Sequence, residues 1–221
     1  MRLLALETAT HRLSVALWDD GRLVERAAEL PNGSSEWLLP NVHGLLGDAG
    51  IGLAQIDGIA FGAGPGSFTG LRLAAGCAQG LAFGRDLPVL GIVTLEALAL
   101  ASGETRVFAC LDARMNEVYV AAYDAGVQVL PPVVCPPALA PLPSGEGWVG
   151  CGDGFASYGA SLPGFARVRA DLRPTASAVA SLAAPRFARG EGVAPAEAVP
   201  LYVRDKVAFT TAERLARGGA K

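Results

Sequence analysis

The sequence predicts an α/β protein built as two similar lobes, each a mixed β-sheet flanked by helices. Three observations carry this. A strand–turn–strand–turn–strand pattern opens at residues 3–7 and again at 107–112, and the opening strands end in Glu7 and Asp112. In both units the acid stands fourteen positions before the glycine of the second turn, Gly21 and Gly126, and a repeated plan at fixed spacing marks an internal duplication. Finally, 51% of the 221 residues are apolar and 18% charged, enough apolar surface to bury a large core and too much for a disordered chain.

The elements follow in order. Residues 3–7 (LLALE), 14–18 and 23–28 read as a meander, with Asp20-Gly21 as its hairpin turn. Residues 35–49 place Leu38, Leu39, Val42, Leu45 and Leu46 on one helix face, with Pro40 expected to kink or restart the helix. Ile59 to Phe61 form a short buried strand that opens into the loop GAGPGSFTG at 62–70, and a helix follows from about Leu71 to Phe83. Val89 to Val93 read as a strand, and Thr94 as the N-cap of the next helix. The second meander takes 107–112, 117–123 and 127–130, turning at Ala125-Gly126. The proline-rich stretch 131–143 reads as an ordered loop. Residues 148–154 form a strand running into a glycine turn, 175–189 a small-residue helix bent near Pro185, and 199–204 a closing strand. The expected lobes are 1–104 and 105–209, with 210–221 a flexible tail.

Several chemistries are disfavoured. A net charge of −3 argues against gripping nucleic acid by bulk electrostatics. Cys77, Cys110, Cys135 and Cys151 include no C-x-x-C pair, and His11 and His43 are the only histidines. A zinc ribbon, a dense disulfide framework and a helix-borne metal pair are therefore not expected, and reduced thiols in a cytoplasmic protein are. Glu7 interrupts any signal-peptide core, and the longest uncharged stretch, 125–145, carries six prolines, so neither a leader nor a membrane span is expected.

The loop at 62–70 is a strand-to-helix turn whose amides and helix dipole suit an anion, giving Gly64, Gly66, Ser67 and Thr69 as weak candidates. It serves equally a close helix–sheet approach. It has neither the lysine of a phosphate-binding P-loop nor a G-x-S-x-G elbow. The helix after it is apolar nearly all round. Leu71, Ala74, Ala75, Ala78, Leu81 and Ala82 lie to one side, and Leu73, Gly76, Cys77, Gly80 and Gly84 to another. Such a helix must be covered twice: its own sheet covers one side, and another subunit is expected on the other, with the 35–49 helix as the internal alternative.

The runs MRLLALETAT, FGAGPGSFTGLRLAAGCAQGLAFG, LPVLGIVTLEAL, DARMNEVYVAAY and EAVPLYVRD resemble, in order and spacing, the TsaB (YeaZ) family over nearly the whole chain. GPGSFTGLR, DARMNEVY and PLYVR together are specific to it. The resemblance implies the duplicated actin-like ATPase fold. It also implies a role in forming N6-threonylcarbamoyladenosine in tRNAs that read codons beginning with A. The chain would be a non-catalytic subunit supporting a TsaD-like catalytic paralogue and a TsaE-like small ATPase, with no resident cofactor or metal. It would form a homodimer when alone and meet tRNA only through the complex. An actin-like ATP-dependent enzyme and, at a distance, a peptidase are the alternatives.

The positions that match the H-x-x-x-H metal pair of TsaD-like subunits are Thr94 and Leu98, and the acid-x-glycine phosphate turns are replaced, Glu7 being followed by Ala9 and Asp112 by Arg114. Both acids are accordingly expected to be structural or vestigial rather than catalytic. Many relatives have a histidine near the start of the first helix, where Ser34 stands here. Leu38, Leu39, Val42, Leu71, Ala74, Ala75, Ala78 and Leu81 are the expected partner interface, with Ala78→Arg expected to spare the fold and abolish assembly. Tail residues Arg214, Arg217 and Lys221 would add modest attraction for phosphate.

Overall fold

The computed structural model describes residues 1–30 and 33–204; the expected tail, with Arg214, Arg217 and Lys221, lies outside the described residues. The first unit is the meander β1 (Arg2–Glu7), β2 (Arg12–Asp19) and β3 (Arg22–Glu29), followed by α1 (Ser34–Asp48), β4 (Gly58–Gly64), α2 (Phe68–Phe83), β5 (Val89–Val93) and α3 (Thr94–Ser102). The second repeats it: β6 (Arg106–Arg114), β7 (Glu117–Asp124), β8 (Val127–Cys135), β9 (Val149–Cys151), α4 (Gly154–Tyr158), β10 (Arg167–Arg169) and α5 (Ala176–Ala188).

The sheet orders are β3-β2-β1-β4-β5 and β8-β7-β6-β9-β10. In each, three antiparallel strands are extended by two parallel ones. Identical order and direction establish the expected duplicated actin-like fold. The hairpin turns Asp20-Gly21 and Ala125-Gly126 share left-handed backbone at both positions, with φ of 46° and 96°, and 48° and 79°, the geometry that suits a two-residue hairpin.

Alternation divides the first core. Leu4, Leu6, Val15, Leu17, Ile59 and Phe61 face α1 and α2, while Ala5, Ala16 and Ala60 face Val179, Ala180 and Ala183 of α5. Alanine against alanine lets α5 lie close to the sheet. β4 is buried along all seven residues, as a strand covered on both faces must be. In the second unit, Val107, Ala109, Leu111, Ala121 and Tyr123 face Leu95, Leu98 and Ala99 of α3. Phe108 and Val120 face Trp148, Phe155 and Phe165. The final helix of each half thus packs on the other half's sheet, α5 on the first and α3 chiefly on the second while also touching β4 and β5, and the two helices touch each other. The expected boundary at 104 falls in the α3–β6 turn, yet α5 belongs spatially to the first lobe.

Four local expectations are corrected. β8 continues through Pro131-Pro132 to Cys135, its register slipping between Val120 and Ala122; prolines are tolerated on an edge strand beside a bulge. α1 runs unbroken through Pro40. Thr94 is the first helical residue rather than the cap, because its hydroxyl is taken by the Gly64 N–H at 3.1 Å. Residues 199–204 form no strand. Leu201 N–H donates to the Ala63 carbonyl at 2.7 Å, but no strand edge lies beside the rest. Among the described residues no helix is long and apolar enough to cross a membrane.

Candidate functional site

A cleft of about 830 Å³ opens between the lobes, where the ends of β1 and β6 and the N-terminus of α2 converge. On the first lobe, Glu7 is wholly buried. Its Oε1 accepts the Ala9 N–H at 2.7 Å, while Oε2 has no partner and lies against Gly62, where any Cβ would overlap the carboxylate. Burial pushes this carboxyl up to about 7.

The turn after Glu7 is closed by the glycine loop. Ser67 N–H donates to the Ala9 carbonyl at 2.8 Å, and Thr8 Oγ1 donates to the Gly70 carbonyl at 2.7 Å. A Cβ on Gly66 would come within 2.6 Å of the Ala9 methyl, and one on Gly70 would overlap the Thr8 carbonyl oxygen. The glycines are there so that two backbones can touch. Of the anion candidates, Gly64 and Ser67 therefore use their amides inside the chain, Gly66 is packed on Ala9, and Thr69 stands exposed on the first turn of α2. Ser67 Oγ also caps α2 by accepting the Gly70 N–H at 3.4 Å. Ser67→Ala is expected to cost about 1 kcal/mol, read as a lower urea midpoint with unchanged slope.

The second lobe repeats the device. Asp112 Oδ1 accepts the Arg114 N–H at 2.7 Å, matching Glu7 and Ala9. Its carboxylate also accepts from Ser157 Oγ at 3.1 Å and Tyr158 Oη at 3.3 Å, and its own N–H donates to Asp153. Both acids therefore hold the turn that follows them. Arg114, Met115 and Asn116 then sit at φ of 60°, 56° and 58°, three successive non-glycine residues in the left-handed region. Arg114 points outward, 86% of its side chain exposed.

Thr94 and Leu98, at the positions of a metal pair in TsaD-like subunits, are fully buried, Leu98 in the core of the second lobe. The thiols are free, and burial pushes Cys110 up and Cys151 up to about 11, the opposite of an activated nucleophile.

The expected interface residues are divided by the structure. Leu38, Val42, Leu71, Ala74, Ala75 and Ala78 are core residues; Leu39 is 47% exposed and Leu81 half-buried. The sheet takes the Leu71–Ala74–Ala78 side of α2, so the open side is the one carrying Leu73, Gly76, Cys77 and Gly80. A groove of about 360 Å³ runs there between Gly76, Gly80 and Phe83 of α2 and Pro195-Ala196. Phe83 is 77% exposed. In the sequence this glycine side stands apart from the alanine side, and the expected interface residues of α2 lie on the latter, although the i, i+4 glycines Gly76 and Gly80 mark the open side.

Comparison with known proteins decides the family. The tRNA threonylcarbamoyladenosine biosynthesis protein TsaB of Escherichia coli is 39% identical over 95% of this chain and 97% of its own length. The chain belongs to the TsaB family. The corresponding protein of Haemophilus influenzae is 48% identical over a stretch covering 54% of this chain and 52% of its own length. The solved structure of YeaZ from Pseudomonas aeruginosa superposes with a TM-score of 0.86 at 41% identity, covering 91% of this chain and 99% of that one. A second structure from that organism, described as similar to peptidase YEAZ, matches equally well, with a TM-score of 0.86 and 41% identity. The family model for TsaD, tRNA N6-adenosine threonylcarbamoyltransferase, matches residues 30–138. This chain thus shares sequence, over that stretch, with the family after which the model is named.

Proposed function

We propose that this chain is a cytoplasmic, non-catalytic subunit of the machinery that forms N6-threonylcarbamoyladenosine in tRNAs reading codons that begin with A. It acts by docking on and activating a TsaD-like catalytic paralogue, together with a TsaE-like ATPase. When alone it pairs with a second copy through the same face, and tRNA reaches it only within the complex. Family membership supports the pathway. One observation supports the mode of action: Gly76 and Gly80 lie in the middle of α2, where glycine weakens a helix, yet a Cβ at either would meet nothing within 4 Å. Nothing among the described residues asks for glycine there. A partner helix packed close against α2 does, and exposed Phe83 and Leu39 give it apolar edges.

Two substitutions separate the intramolecular role from the intermolecular one. Gly80→Ala is expected to stabilise the isolated chain by about 0.5–1 kcal/mol. Gly80→Arg is expected to melt like the parent protein but to fail to co-elute with the paralogue in gel filtration. It should also fail to restore the modified nucleoside, measured by mass spectrometry of tRNA digests, in cells depleted of their own homologue. Normal assembly by Gly80→Arg would place the docking face elsewhere.

A further inference from the structure

Residues 201–204 cross the mouth of the cleft in four steps. Leu201 is bonded to Ala63 of the first lobe at 2.7 Å. Tyr202 lies against α2: its hydroxyl accepts Arg72 Nε–H at 3.0 Å, its ring is 5.9 Å from that of Phe68, and the Arg72 guanidinium sits 3.6 Å above Phe68. Arg204 reaches the second lobe, donating to the Ala113 carbonyl at 3.1 Å, to Met115 Sδ at 3.5 Å and to Glu117. Its guanidinium also lies 5.9 Å from the Tyr119 ring. The second-lobe partners of Arg204 lie in and around one short turn, that of Arg114 to Asn116, whose three left-handed residues store strain that only surrounding contacts can hold.

We infer that residues 201–204 are a strap linking the N-terminus of α2 to this strained turn, so that displacing Tyr202 from Phe68 and Arg72 loosens the turn across the cleft. The linkage is mechanical. A single residue, Val203, separates the Tyr202 anchor from the Arg204 anchor, so freeing the first removes the restraint that aims the second. A partner engaging Phe68 or Arg72 would thereby change how Arg114 is presented, and that bearing on assembly rests on the docking reading above. The strap itself does not, and is tested on the isolated full chain.

Hydrogen exchange of peptides spanning 112–118 is compared in the parent protein, Arg204→Ala, Tyr202→Ala and Tyr202→Phe. Arg204→Ala should speed exchange at the turn by about tenfold, the loss of about 1.4 kcal/mol of local protection. Tyr202→Ala, whose own partners are on α2, should speed the same peptides comparably. Tyr202→Phe, which keeps the ring contact and loses the hydroxyl, should fall between it and the parent. If Tyr202→Ala leaves the turn at the parental rate, the contacts of Arg204 are merely local and the strap is refuted. A rise spread evenly over the chain, including β4, is global destabilisation and refutes it too.

Discussion

Ala78→Arg is expected to yield no folded protein. Ala78 is 0% exposed and packed in the core between α2 and the first sheet, alongside Ala74, Ala82 and Phe61. An arginine there must either bury an unpaired guanidinium or push α2 off its sheet, and such changes reach or exceed about 4–5 kcal/mol. That is comparable with the whole stability of a domain, about 5–15 kcal/mol. Circular dichroism should show no cooperative melt, in contrast to Gly80→Arg two residues further along. An Ala78→Arg protein with a parental melt would mean that α2 turns its alanine side outward. The sequence-based expectation that this substitution spares the fold is thus reversed, because the alanine side faces the sheet.

The second large effect belongs to Glu7. Its carboxyl is raised chiefly by burial, against the lowering influence of the Ala9 and Thr8 amides, to about 7 from the usual 4.5. The folded chain therefore holds this proton when the unfolded chain has lost it. Stability from the protonated form is fully present below about pH 4.5 and falls as pH rises through about 7, by about 3 kcal/mol in total at 1.36 kcal/mol per pH unit. Glu7→Gln keeps the shape and an acceptor for Ala9 but cannot ionise. The difference between the two proteins should grow in favour of Glu7→Gln by about 2 kcal/mol between about pH 5.5 and 8.5, read from urea midpoints. A constant difference across that range would show that Glu7 is ionised throughout.

Much of the fold was legible because both meanders announce themselves with hairpin turns and alternating strands, and because Glu7 and Asp112 end matching strands. β10 and α4 were not, since three residues of Arg-Val-Arg and five of Gly-Phe-Ala-Ser-Tyr carry no period. Residues 199–204 alternate like a strand, but a strand also needs a neighbour with free amides and carbonyls, and that is a tertiary fact. The proline-rich stretch concealed the end of β8 for the converse reason: a bulged edge tolerates what a central strand does not. On α2 both sides are apolar, so hydropathy could not say which meets the sheet. The placement of the glycines on the side away from it could have. The Ser67–Ala9 and Gly70–Thr8 contacts lay beyond reach, because they join residues some sixty positions apart.

The exchange of α3 and α5 bears on how such a molecule can come apart and how it can have arisen. A first half made alone would expose the alanine face of its sheet and carry a helix, α3, that keeps its contacts with β4 and β5 but loses the larger surface it buries on β6 and β7. A second half would be short in the complementary way. Neither is a module that could be lent to another protein, and cutting the chain near residue 104 should give fragments that regain structure only when mixed. Before duplication, a single half-length ancestor could satisfy both needs by trading that helix with an identical copy, as swapped dimers do. Joining two genes end to end would then have kept the trade and made it intramolecular, so that the two-fold symmetry of an ancient pair survives inside one polypeptide.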